Sequence, residues 1–365
     1  MKIVFFISSL RGGGAERVMT ILCNNLVERG HQIFLITDLR EEIKYHVDNR
    51  INLIDLKTPS RFDGGFFSKY YKFYAHIRQA IREIDPDLVN SFMTGMNFHV
   101  LISTIGLRYP IVVSEHSTFQ NFKSWFNYFT RFYVYKLAEQ VTMLTNQDYC
   151  FVGSRISRKV VIPNPLPYKI NHGEDIRNKN ILAVGSLDRW KEKGFENLIR
   201  IWGEVANKYP EWALEIAGTG SIESRTYLEN YCESKGVRKS VRFLGFQKNI
   251  DKIMRSSTIF VLSSTFEGFG MVLLESMSQG CAAISFKCKG GPSEIIRHLE
   301  TGLLVEDQNF NSMKESICLL IEDEKLRAAL IKNAIIDVER FSADKIVEKL
   351  EFTYNEVLFN YRRKL

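Results

Sequence analysis

Apolar residues in this chain fall into short blocks that alternate between two periods. Residues 3–7, 31–37, 51–56, 88–92, 111–114 and 141–145 form short, largely apolar runs with little polar alternation. Such runs predict strands buried on both faces, as in a parallel sheet covered by helices. Between the first two runs, Val18, Ile21, Leu22 and Leu26 recur at helical spacing until Gly30 stops the helix expected over 15–29. Strand, glycine-rich loop, helix and strand make a βαβ unit. The same spacing predicts helices over 69–84 and 97–106, and an aromatic amphipathic one over 121–136.

The pattern restarts in the second half. Strands are expected over 180–184, 213–217, 241–244, 258–262, 282–285 and 302–305, with helices between them and a largely helical remainder to Leu365. Residues 160–167, with Pro163, Pro165 and Pro167, and the polar run 171–180 read as a connector, because closely spaced prolines forbid regular structure. The fold class expected is α/β, with two doubly wound, Rossmann-like domains facing across a cleft. At 365 residues the chain exceeds what one core usually serves, which agrees with two domains.

Composition narrows the picture only a little. Lys and Arg outnumber Asp and Glu 49 to 42, a net charge of +7 that suits an anionic partner. The basic residues are spread along the chain, which argues against nucleic acid. Six cysteines are scattered with no C-x-x-C, so buried reduced thiols and a cytoplasmic protein are expected. Residues 1–7 are too short for a signal peptide, and no apolar run approaches a membrane span. The segment 121–136 interleaves aromatics with Lys123, Arg131 and Lys136, which fits either packing within the first domain or peripheral contact with an anionic membrane.

Candidate chemistry gathers at the loops after the strands. Ser264-Thr-Phe-Glu-Gly-Phe-Gly-Met-Val-Leu-Leu-Glu275 reads as a strand end, a glycine turn and a helix start, with Glu267 and Glu275 bracketing the turn. A helix beginning near Phe269 turns Glu275 toward the same edge as the loop, and its free amides favour an anion. A tight turn with two solvated carboxylates fits the same residues. Gly12-Gly-Gly14 after the first strand permits close backbone approach to a ligand, although it is not a dinucleotide fingerprint. His116 follows the strand 111–114, where parallel sheets place ligands, and Arg189, Lys191 and Lys193 form a basic loop suited to a diphosphate.

Taken in order, Gly12-Gly-Gly-Ala-Glu-Arg17, Ser114-Glu-His116, Ile162-Pro-Asn-Pro165, Lys193-Gly194, Gly218-Thr-Gly220, Glu267-Gly-Phe-Gly270 with Glu275, and Gly302-Leu-Leu resemble a GT-B glycosyltransferase of family 4 over nearly the whole chain. The resemblance implies a retaining transfer of a sugar, with no required metal or other cofactor. The donor is a nucleotide diphosphate sugar, with UDP as the nucleotide expected from family frequency. The acceptor is a glycan or polyprenyl-linked glycan of bacterial surface polysaccharide biosynthesis.

It also implies roles for particular residues. Glu275 holds the ribose hydroxyls, and Glu267 the hydroxyls of the donor sugar. The amides of Gly268, Phe269, Gly270 and Met271 line sugar and phosphates. Lys193 neutralises the leaving diphosphate, the Gly13 and Gly14 amides approach it, and His116 contacts the sugar near the reacting carbon. Many relatives carry arginine where this chain has Ser186, and Arg189 is the candidate to supply that charge. The expected division is 1–168 and 169–341, with a last helix over 342–365 packing back on the first domain. Two other functions share the sequence features: a UDP-sugar 2-epimerase of similar fold, and a non-catalytic sugar-nucleotide-binding module.

Overall fold

The computed structural model describes residues 1–120, 124–173 and 175–364. It divides into two compact units, Met1–Pro167 with Phe341–Leu365, and Tyr168–Arg340. The first unit holds seven strands: β1 Lys2–Phe6, β2 Gln32–Thr37, β3 Asn52–Asp55, β4 Leu88–Phe92, β5 Ile111–Ser114, β6 Gln140–Met143 and β7 Lys159–Val161. All pair in parallel, in the order β3-β2-β1-β4-β5-β6-β7. Ile3, Val4, Phe5 and Phe6 are all fully buried. Successive strand residues point to opposite faces, so both faces of this sheet are covered.

Sequence spacing missed β7, whose residues fell in or beside the expected connector. Val141, Thr142 and Met143 pair with Lys159, Val160 and Val161, so the strand forms because an edge was waiting for it. The prolines begin immediately after, where the ladder ends. The expected helix over 121–136 is a shorter helix, Trp125–Phe132, followed by a 3₁₀ turn, Val134–Leu137. Residues 121–123, including Lys123, lie outside the described residues.

The helix Ala343–Arg362 closes the first unit. Its Tyr354 is buried, and Asn90 on β4 donates to the hydroxyl at 2.5 Å. Glu351 receives His31 at 2.6 Å and Arg29 at 2.9 Å. Apolar residues Ile346, Val347, Leu350 and Val357 lie along its buried side, the 3–4 residue spacing of an amphipathic helix.

The second unit holds six parallel strands: β8 Asn178–Val184, β9 Ala213–Ala217, β10 Val241–Gly245, β11 Ser257–Leu262, β12 Ala282–Phe286 and β13 Leu303–Val305. Their order is β10-β9-β8-β11-β12-β13. In each unit the chain first winds outward in one direction and then restarts beside the first strand. The order therefore reverses between β1 and β4, and again between β8 and β11. A crevice opens at the carboxyl ends of strands where such a reversal occurs. The core of the second unit joins Phe195, Leu198 and Trp202 on a covering helix to Ile181, Leu214, Ile259 and Ile284 on the sheet. Four cysteines are buried as expected, but Cys150 is exposed and Cys318 partly so. Among the described residues no helix is long and apolar enough to cross a membrane.

Candidate active site

The loop after β11 is shaped by backbone contacts that only glycine permits. Gly290 has φ +112, and a Cβ there would lie 1.8 Å from the carbonyl oxygen of Glu267. At Gly291 it would lie 1.7 Å from that of Phe269. Glu267 N donates to Lys289 O at 3.1 Å, so residues 266–269 are pressed against 289–291. These two glycines support the candidate site directly. They stood in the sequence as Lys289-Gly-Gly-Pro-Ser-Glu294 without a role, since nothing in their spacing reveals the carbonyls they meet.

The helix that follows runs Met271–Ser278, with Gly270 as its cap at φ +93. It therefore starts two residues later than expected, at Met271 rather than Phe269, because Phe269 is buried while Gly270 supplies the left-handed turn. Glu275 is buried rather than solvated, and Glu267 is mostly so. The reading of two freely solvated carboxylates fails on this point.

Lys193 reaches the same loop. Its Nζ lies 2.7 Å from Oε1 of Glu267, and the Ser264 hydroxyl donates to that oxygen at 2.7 Å. The segment carrying Lys193 is sewn to the β11 exit: Ser263 Oγ donates to Lys193 O at 2.7 Å and Thr265 N to Glu192 O at 2.9 Å. Gly194 makes this approach possible, since a Cβ would fall 2.0 Å from Ser263 O. The Lys193 stem crosses Gly185, whose missing side chain leaves it room. The structure thus brings together Lys193, Glu267 and the Gly268–Met271 turn, with Glu275 on the helix behind. Arg189 is not drawn to the pair; its guanidinium holds Glu192 instead and is half exposed.

His116, Gly13 and Gly14 belong to the first unit. The Glu16 carboxylate accepts from the amides of Gly12 at 2.5 Å and Gly13 at 2.7 Å, and from the Ser9 hydroxyl at 3.0 Å. The Gly13 amide is therefore occupied by the chain's own acid, which makes the acid half of a capping box; glycine has no side chain to supply the other half. Glu16 was not singled out from the sequence, although an acid three residues after a helix cap was the available signal.

His116 lies two residues beyond β5, its ring stacked on Phe92 at 4.4 Å and 19°. Burial holds its pKa down, to about 4 from an ordinary 6.5, against the opposing influence of Glu115 and Asn164. The imidazole is thus neutral through the neutral range and works as a hydrogen-bonding group, not a cation. The loop that carries it is braced by a buried network. Glu115 pairs with Arg131 at 3.1 Å and accepts from Thr94 at 2.6 Å and Tyr135 at 2.7 Å. Arg131 also donates to Thr118 O at 3.1 Å. Arg131 is 1 % exposed, so it is a core residue and not the membrane-facing cation its aromatic surroundings suggested.

Among the described residues no three His, Cys, Asp or Glu side chains gather to hold a metal. What the second unit does present is a cation and an acceptor carboxylate beside a glycine turn at a helix start, at the carboxyl end of a sheet. That arrangement suits an anionic, hydroxyl-rich ligand.

Comparison with known proteins places the chain in a family. The family described as Glycosyl transferases group 1 matches residues 168–337, and the one described as Glycosyltransferase Family 4 matches residues 12–167. The chain is 28 % identical over 359 residues to a GalNAc-alpha-(1->4)-GalNAc-alpha-(1->3)-diNAcBac-PP-undecaprenol alpha-1,4-N-acetyl-D-galactosaminyltransferase of Campylobacter jejuni, covering 96 % of this chain and 97 % of that one. It is 26 % identical over 370 residues to the amylovoran biosynthesis glycosyltransferase AmsD of Erwinia amylovora, covering 98 % and 99 %. The crystal structure of Anabaena Alr3699/HepE in complex with UDP superposes with a TM-score of 0.81 at 20 % identity, covering 98 % of this chain and all of that one.

Proposed function

Because the chain belongs to the group 1, family 4 glycosyltransferases, we propose that it moves a hexose or N-acetylhexosamine, with retention, from a UDP-sugar to a glycan or lipid-linked acceptor in surface polysaccharide assembly. The observation that carries the site is the Lys193–Glu267 pair on its glycine-braced turn. In the structure each satisfies the other. When the donor binds, Lys193 turns to the diphosphate, whose negative charge grows as the glycosidic bond breaks, and Glu267 accepts hydroxyls of the sugar. A fixed cation of this kind stabilises the transition state more than the ground state. Glu275 accepts from the ribose. The Gly268–Met271 amides line sugar and phosphates, and Gly13 and Gly14 approach the diphosphate once Glu16 yields the Gly13 amide. Arg189 contributes only by exchanging Glu192 for the phosphate, and an Arg189→Ala variant with unchanged donor KM and kcat removes it from the site.

Anabaena Alr3699/HepE, a neighbour of the same fold, binds UDP in one structure and UDP-glucose in another, which supports uracil as the base. In a thermal-shift panel of nucleotide sugars, a UDP-sugar at 100 times its dissociation constant stabilises the protein by about 2.7 kcal/mol. Stabilisation by a different base alone overturns the UDP reading, and none from any nucleotide sugar overturns the donor site. Interconversion of the sugar nucleotide without acceptor identifies the epimerase instead.

A lipid-linked acceptor implies work at a membrane surface, and the exposed aromatics of the first unit suit an anionic one. Phe67 is 87 % exposed and Trp125 75 %, with Phe66, Tyr71 and Tyr133 also outside. Ring contacts run from Phe66 through Tyr70, His99 and Phe98 to Phe126. Residues 66–79 contain Lys69, Lys72 and Arg78 and no acid, and in 94–137 the single acid, Glu115, is buried. Aromatics rimmed by cations partition into anionic interfaces. Phe67→Ser with Trp125→Ser lowers binding to vesicles containing phosphatidylglycerol by at least about tenfold, each exposed ring contributing on the order of 1 kcal/mol. Equal binding of the variant removes this face as the contact.

A further inference from the structure

Two buried polar atoms without a hydrogen-bond partner, Nδ1 of His116 and Oδ1 of Asn164, belong to side chains that act on each other. A buried polar atom left unmatched is costly, so two such atoms on side chains that act on each other call for a common account. Asn164 is 5 % exposed and sits on a stiff mount. Pro163 and Pro165 flank it, and a residue before proline is confined to extended backbone. The mount is pinned at both ends, by Ile162 N to Met143 O at 2.8 Å and Leu166 N to Phe341 O at 2.7 Å. The imidazole is equally confined, since Phe92 stacks on its face and leaves only in-plane interactions to set its protonated edge.

We propose that Asn164 is the positioning residue of His116: its side-chain oxygen accepts the Nδ1–H, which selects that tautomer and leaves Nε2 as an acceptor for a hydroxyl of the donor sugar. The inference rests on the donor-site reading of His116. A neutral imidazole has one N–H, and the neighbouring group decides which nitrogen keeps it. With Nδ1 bare, its lone pair would face the lone pairs of an amide oxygen in a dry setting, two acceptors repelling each other. With Nδ1 protonated, each of the two unmatched atoms becomes the other's partner. The burial that keeps the ring neutral near pH 7 makes the choice of nitrogen consequential. Sequence alone gave Asn164 no such role, because 48 residues separate it from His116.

The test reads the tautomer directly. In the full chain labelled with ¹⁵N-histidine, seven side chains give signals, and the spectrum of His116→Ala identifies the one of interest. His116 is expected in the Nδ1–H form at pH 7. Asn164→Ala moves it toward Nε2–H and lowers kcat by about 10- to 100-fold, with donor KM changed less than about threefold. Asn164→Asp restores the Nδ1–H form, recovers part of kcat and raises the pKa of the ring, because a carboxylate favours the cation. A merely structural asparagine would leave tautomer and ring pKa unmoved. Nε2–H in the wild type, or an unchanged tautomer in Asn164→Ala, overturns the proposal. Where Asn164→Ala does not fold, the wild-type spectrum and Asn164→Asp decide it. Undiminished transfer by His116→Ala removes His116 from the donor site and leaves the tautomer result to stand by itself.

Discussion

Lys193→Ala lowers kcat by about 10²- to 10³-fold, the size of effect seen when one preorganised donor to a developing anion is removed. The fold fixes the backbone that carries the lysine, so only its Nζ has to move, from Glu267 to the diphosphate, when the donor binds. Glu267 holds its Nζ at 2.7 Å, Ser263 holds its carbonyl, and Gly194 lets the two segments meet. Little reorganisation remains when charge develops on the leaving diphosphate, which is why the loss appears in kcat more than in KM. The fold is expected to survive, since Glu267 keeps the Ser264 hydroxyl and both side chains retain some access to water. Steady-state kinetics with the best UDP-sugar from the panel, beside the melting temperature of the unliganded variant, make the comparison. A variant that transfers within threefold of the wild type would falsify the role given to Lys193.

Arg131→Met acts on stability instead. It leaves Glu115 buried with only neutral donors, the Thr94 and Tyr135 hydroxyls and the Ser117 amide, and breaking one side of a buried ion pair typically costs about 3–5 kcal/mol. The first unit should unfold at markedly lower denaturant, while the second keeps its own transition, because Arg131 has its contacts at Glu115, Thr118 and Phe119. Two transitions followed by separate probes are needed, as one unfolding free energy does not describe a chain of two units. Arg131→Met combined with Glu115→Gln should recover part of the loss, since the uncompensated charge has gone. An unshifted first-unit transition in Arg131→Met contradicts the buried pairing. Charge reversal at Arg131 is for the same reason a test of folding, not of membrane contact.

The exposed aromatic residues illustrate how composition misleads at short range. The segment around Trp125 is rich in rings and cations, and its sequence gives both kinds of side chain the same apparent address. In the fold Trp125 points outward while Arg131, six residues on, enters the core to meet Glu115. A helix of about two turns changes face within that distance. Only the position of Glu115, carried in by β5, decides which face is inside.

The sequence by itself determined the order of the main elements in both halves, β7 excepted. These elements are announced locally: strands buried on both faces need runs of apolar residues, helices need 3.6-residue spacing, and the turns between them favour glycine or proline. It also marked the loops where ligands gather, because a parallel sheet exposes its chemistry at the strand ends. The tertiary structure alone decided what is long-range: that Val160 and Val161 join a sheet edge, that Lys193 meets Glu267, and that Gly290 and Gly291 lie on carbonyls 22 or 23 residues back. It likewise decided that Glu16 covers the Gly13 amide and that Asn164 comes to His116. Such contacts leave no periodic trace, since each depends on where two distant segments cross and on how little space a missing side chain leaves between them.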